Sequence, residues 1–185
     1  MHSRSRRGAV MAMAAGVIGA IGLAAAHPAS ADDLGASCQA PGWDMGSEIS
    51  AFKSTAENVP AGGSVASLPP LEIGVLYVLK LRPQTEVSYL QVSNKKSLVQ
   101  APLGGLTSFT VVGAGAYRIT VDSPLWIDLI GPDGTIAPSA YTGWHDCRLF
   151  RKSVEYTLQA GQSYVLQMSE ATPELVRVVI EVAKH

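Results

Sequence analysis

Leu158-Gln159-Ala160-Gly161-Gln162-Ser163-Tyr164-Val165-Leu166-Gln167-Met168 is the stretch whose reading decides the fold. An alternating run from Val154 to Leu158 leads into it, the chain turns at Ala160-Gly161, and alternation restarts at Tyr164. Two earlier segments rhyme with it. Leu71, Gly74, Tyr77, Leu79 and Leu81 keep the same spacing, and Val112, Gly115, Tyr117, Ile119 and Val121 keep it with one residue fewer before the tyrosine. Each copy reads as an apolar strand end, a glycine turn, and a new strand that opens with Tyr and alternates with period two. That is the sequence form of a β-hairpin or a tight strand corner. The three tyrosines are therefore read as architecture, with hydroxyls bonded to nearby backbone at the corners.

Further strands follow from the same periodicity. Residues 73–81 form an apolar run stopped by Pro83, and Val87, Tyr89 and Gln91 suggest another strand that ends at the turn Ser93-Asn94-Lys95-Lys96. Pro102 and Gly104-Gly105 separate this half from the next, where residues 109–112, 117–121 and 125–130 alternate. Gly131-Pro132-Asp133-Gly134 is a strong turn signal. Residues 135–146 read as irregular, and residues 149–158, 164–168 and 175–182 complete eight or nine strands. Short strands at this spacing predict an all-β fold, an antiparallel β-sandwich (jelly-roll-like) with one short N-terminal helix. The helix is carried by Met45, Ile49 and Phe52 at i, i+4 and i+7, with Asp44 as N-cap, Glu48 in the first turn and Trp43 as a docking staple.

The N-terminus has the plan of an export signal. Arg4, Arg6 and Arg7 precede an apolar run over residues 9–26, and Ala29-Ser30-Ala31 is a small-x-small cleavage site. The domain expectation is a signal peptide over residues 1–31 and one β-sandwich domain over residues 32–185, in a periplasmic or secreted protein. Ser5-Arg6-Arg7 leaves twin-arginine export as the alternative to the general route. The apolar run is rich in Ala and Gly, which favours cleavage over retention as a membrane anchor. Removing the signal leaves eleven basic and fifteen acidic side chains, a net charge of −4. A mildly acidic chain is a poor partner for nucleic acid or an anionic membrane surface.

Cys38 and Cys147 are the two cysteines. In an oxidising compartment they are expected to pair, the alternative being two free thiols. Closing a loop of about 110 residues would be worth about 4–5 kcal/mol on chain-entropy reasoning.

The order Phe109-x-Val111, Ala114-Gly115, Tyr117-x-Ile119-x-Val121, then Trp126-Ile127-Asp128-Leu129-Ile130-Gly131-Pro132-Asp133-Gly134 resembles the bacterial pre-peptidase C-terminal domain. Val154-x-Tyr156-x-Leu158-x-Ala160-Gly161 and Tyr164-x-Leu166 extend the likeness over about residues 105–183. The resemblance implies a jelly-roll-like sandwich with a binding or stabilising accessory role, although no peptidase is attached here. More loosely, the whole chain resembles small exported proteobacterial proteins, some of which carry the name homogentisate dioxygenase. The histidine count argues against that activity. A cupin-type iron site needs two histidines and a carboxylate, and only His145 and His185 lie beyond the signal.

No HExxH, CxxC, GxSxG or Walker A pattern occurs. No catalytic residue, metal ligand or cofactor is assigned. The carboxylate pairs Asp44 with Glu48 and Asp122 with Asp128 read as solvated, Trp126 as core, and Arg148 with Lys152 as one solvated face. The segment of mixed character is residues 141–146: Tyr141, Trp144, His145 and Asp146 are the candidate ligand-binding side chains. The competing account packs Trp144 over the disulfide and leaves His145 and Asp146 in solvent. The resulting expectation is a non-enzymatic binding or interaction module for a protein or carbohydrate partner. The alternative is a metal-binding protein or enzyme centred on residues 141–146, and a third possibility is an adaptor that offers an edge strand.

Overall fold

All three rhyming tyrosines close corners. The Tyr77 hydroxyl accepts the Glu72 N–H at 3.0 Å, the Tyr164 hydroxyl accepts the Gln159 N–H at 2.9 Å, and the Tyr117 hydroxyl donates to the Gly113 carbonyl at 2.8 Å. Each ring is buried. Gly74 (φ +85°) and Gly161 (φ +71°) turn the chain ahead of two of them in the left-handed region open to glycine at little cost. The hydroxyl, anchored to backbone four or five residues upstream, ties the incoming loop to the strand that follows it.

The structure, a computed structural model, describes residues 33–91, 97 and 99–185; the expected export signal over residues 1–31 and the expected Ser93-Asn94-Lys95-Lys96 turn lie outside the described residues. Among the described residues, twelve strands follow two α-helices, α1 (Asp33–Ala36) and α2 (Gly46–Phe52). The strands are β1 (Glu57–Pro60), β2 (Pro70–Leu71), β3 (Tyr77–Lys80), β4 (Arg82–Pro83), β5 (Leu103–Thr110) and β6 (Gly115–Val121). They continue as β7 (Trp126–Gly131), β8 (Gly134–Ile136), β9 (Ala140–Gly143), β10 (Lys152–Leu158), β11 (Ser163–Ala171) and β12 (Leu175–Val182). The first sheet has the order β1-β3-β12-β6-β10-β9 and the second β2-β5-β11-β7-β8, with β4 also on β5. Between them lies a core of alternating residues, among them Ile119, Leu129, Val154, Tyr156, Leu166, Val178 and Ile180.

The expected all-β sandwich with a short helix is therefore present, and several local expectations are corrected. The sheets are mixed, because β1 runs parallel to β3 and β2 parallel to β5. Gly104-Gly105 is not a break but lies inside β5. A Cβ at Gly104 would come within 1.9 Å of the Tyr89 hydroxyl, and one at Gly105 within 2.4 Å of the Ala61 Cβ. These glycines are selected by close packing, which local sequence does not display. Residues 87–91 are a loop rather than a strand, held when buried Gln167 accepts from the N–H groups of Leu90 and Gln91. Residues 135–146 are not wholly irregular and contribute β9 and most of β8.

The first sheet also buries its outer face. Val179, Leu76, Met45, Ala51, Phe52, Trp144, Phe150 and the disulfide form a second apolar cluster there. Cys38 and Cys147 are bonded, Cα atoms 4.7 Å apart, which ties the N-terminal segment to the connection after β9. Arg118 of β6, fully buried, lies in the same layer. Its Nε donates to Glu155 at 3.0 Å, Nη1 donates to the Asp44 carbonyl at 2.8 Å and lies 3.5 Å from Glu48, and Nη2 donates to the Lys184 carbonyl. The Trp43 ring covers the guanidinium at 4.5 Å. Trp43 thus packs on the first sheet through Arg118, two residues before the helix cap rather than next to it. Asp44 falls one position short of the cap: Met45 occupies it, and the Asp44 carboxylate accepts from the Gly46 N–H at 2.9 Å.

Tyr117→Phe should lower the unfolding free energy by about 1 kcal/mol, the worth of one hydrogen bond. Urea denaturation measures it. Replacing both cysteines with serine should cost about 2–5 kcal/mol under non-reducing conditions; an unchanged midpoint would contradict the bridge.

Candidate functional site

The structure divides the sequence-read loop. β9 pairs only with β10, Tyr141 opposite Val154 and Gly143 opposite Lys152, and so forms the edge of the first sheet. Opposed residues share a face, so the Tyr141 ring turns to the same side as core residue Val154. Tyr141 is nevertheless 75% exposed, although its strand position is inward-facing.

Trp126, on β7 of the second sheet, lines the same cleft as Tyr141. Leu125, Ile127 and Leu129 are buried, and alternation along β7 turns Trp126 and Asp128 the other way. Trp126 is 47% exposed, not core as expected. The alternation that buries Leu125 and Ile127 was the available signal. Its Nε1 donates to the Asp128 carboxylate at 3.0 Å, and the Lys152 ammonium sits 5.3 Å from the ring centroid. Lys152 also donates to the Leu125 carbonyl at 3.1 Å. It is half-buried at the seam between the sheets and does not share a solvated face with Arg148, which lies outside any strand.

Together Trp126, Ile127, Pro138, Tyr141, Lys152 and Val154 line a cleft of about 250 Å³. Its walls are largely apolar, the polar groups being the Lys152 ammonium, the Tyr141 hydroxyl and the Trp126 Nε1. Burial pushes the Lys152 ammonium below its ordinary value, opposed by the Asp128 charge. Burial raises the Asp128 carboxyl, opposed by the Trp126 hydrogen bond and by Lys152.

The other candidates lie elsewhere. Trp144 is buried edge-on against Phe150, 4.9 Å between centroids, in the disulfide cluster, and its Nε1 donates to the Gln39 carbonyl at 3.1 Å. His145 and Asp146 are exposed. They line a separate polar concavity with Asp122, Arg148, Arg151 and Arg177. Much of that concavity is already engaged. Arg177 bonds Asp122 and the Leu149 carbonyl, and Arg151 bonds the Trp144 and His145 carbonyls. Neither carboxylate pair converges on a cleft, since Glu48 faces Arg118 while Asp122 and Asp128 have different partners. Burial raises the Glu48 carboxyl, and its 3.5 Å contact to Arg118 is too long to reverse that. Among the described residues, no three His, Cys, Asp or Glu side chains group as metal ligands.

No family model and no curated protein sequence matches the chain. Among solved structures, a β-glucosidase from Paenibacillus barengoltzii aligns over 68% of this chain at 13% identity with a TM-score of 0.26. The alignment spans 13% of that protein's length, and a similarity this low carries no argument about fold or activity.

The raised Asp128 carboxyl has a measurable sign. The folded state holds this proton at a pH where an unfolded carboxyl has lost it. The contribution to stability is therefore full below the unfolded value, near 3.8, and declines as pH rises through the folded one. Trp126 emission should titrate above pH 3.8, and Asp128→Asn should abolish both the titration and this slope. A transition left intact in the Asn variant would assign it to another group.

Proposed function

We propose that the chain is an exported, non-enzymatic binding module that recognises its partner at the open edge of the sandwich. The observation that carries this reading is the cleft lined by Trp126 and Tyr141, two large and partly exposed aromatic side chains beside apolar walls. Tryptophan and tyrosine are the side chains that most often dominate binding energy, because each covers much area with few rotatable bonds to freeze. Both sit on strands, one in each sheet, so each ring is carried by a laddered backbone rather than by a loop. The reading also draws on the strand-and-turn likeness to pre-peptidase C-terminal domains, whose role is accessory.

Export is supported by the signal-like N-terminus and by the Cys38–Cys147 bridge, which belongs to oxidising compartments. Expression with the native leader should place the protein in the periplasmic or secreted fraction with Asp32 as its first residue. A cytoplasmic chain of full length would contradict export.

Binding is tested by titrating the protein with a panel of oligosaccharides and unstructured peptides while following tryptophan emission. Saturable binding is expected. Trp126→Ala and Tyr141→Ala should each weaken it tenfold or more, while stability changes by less than about 1 kcal/mol, as expected for exposed side chains. A panel without saturable binding, or binding untouched by both substitutions, would overturn the reading.

A further inference from the structure

The cleft has a backbone wall as well as a side-chain one. The Trp144 N–H donates to the Arg151 carbonyl at 2.9 Å, which makes residues 144 and 151 a hydrogen-bonded pair of the β9–β10 ladder. In an antiparallel ladder such pairs alternate. Thr142 therefore bonds inward to β10, while Tyr141 and Gly143 direct their N–H and C=O groups away from the sheet. Among the described residues nothing pairs with that side of β9.

We infer that β9 accepts an extended apolar peptide as an added strand, with one of its alternate side chains seated between Trp126 and Tyr141. This rests on the binding reading above and names its partner class. Two independent features converge on that occupant. The outward backbone groups of Tyr141 and Gly143 match the main chain of a strand, and the ring of Tyr141 stands on the inward face where every second side chain of that strand would arrive. Three observations separate a peptide from other occupants. At about 250 Å³ the cleft falls below the 300–1,000 Å³ usual for small-molecule sites. Its lining holds no carboxylate or amide side chain to grip the hydroxyls of a sugar: its polar groups are the Lys152 ammonium, which donates to the Leu125 carbonyl, the Trp126 Nε1, which donates to Asp128, and the Tyr141 hydroxyl. A four-residue edge buries far less than the roughly 1,200 Å² of a stable dimer interface, so a second copy is a poorer fit than a short segment.

The test pans displayed random hexapeptides against the full chain and measures the enriched sequences by fluorescence anisotropy. Enriched peptides should alternate apolar residues with period two. Gly143→Pro, which deletes one outward donor and leaves both aromatic walls, should weaken them tenfold or more, as should Trp126→Ala. N-methylation of the peptide at alternate positions should do the same, whereas a shift of those methyl groups by one residue should not. Hexapeptides weakened by Trp126→Ala but indifferent to Gly143→Pro and to N-methylation would overturn strand addition and leave the cleft as the binding surface. Failure to enrich any hexapeptide, alongside saturable oligosaccharide binding that depends on Trp126, would do likewise. Concentration-dependent dimerisation abolished by Gly143→Pro would show that the edge serves a second copy instead.

Discussion

Arg118 is the interaction on which the arrangement of the molecule depends. A guanidinium without solvent is tolerated only when its donors find acceptors, and removing one partner of a buried pair costs about 3–5 kcal/mol. Here those acceptors come from distant parts of the chain: Glu48 and the Asp44 carbonyl in the N-terminal segment, Glu155 on β10, and the Lys184 carbonyl at the C-terminus. The residue draws both chain ends across one face of the first sheet. The disulfide fastens the same layer at a second point, and Trp43 closes it. The outer face of that sheet is consequently an interior, with Thr120 bonded to Ser153 beneath it. One margin left unpaired is the outer side of β9, where Tyr141 is exposed.

The hairpin-like rhyme in the sequence was legible because it is a local device. Glycine, spacing and tyrosine all lie within one corner, and the hydroxyl bonds span only four or five residues. Strand existence in β6, β7, β11 and β12 was equally plain from alternation. The misreadings share a non-local cause. Gly104 and Gly105 look like a break until Tyr89 and Ala61 are placed against them. Val87, Tyr89 and Gln91 alternate like a strand, yet Gln167 from β11 captures the backbone of Leu90 and Gln91 as a loop. Arg118 alternates with Tyr117 and Ile119 as an outward residue should, and nothing within β6 indicates that this outward face is buried.

The candidate site was half legible. Tyr141 was singled out as an aromatic in a loop, and it does line the cleft, but on a strand. Its companion is Trp126, fifteen residues earlier on the other sheet, which the eye assigns to the core because tryptophan is apolar. The period of two along Leu125, Trp126 and Ile127 already placed it on the opposite face from its neighbours. Trp144 and His145 adjoin Tyr141 in sequence but diverge in space, since β9 ends at Gly143 and the chain then dips into the disulfide cluster. Adjacency in sequence suggested one site, and the strand end separates two.

The central claim is a sandwich closed on the Arg118 face and open along β9, and native-state amide exchange on the unliganded protein tests it most directly. The N–H groups of Thr142 and Trp144, bonded to β10, should exchange slowly, as should those of β6 beneath the Arg118 layer. The N–H groups of Tyr141 and Gly143 should exchange as rapidly as exposed loop amides. Equal protection at all four positions of residues 141–144 would mean that the edge is already covered, and would contradict the account.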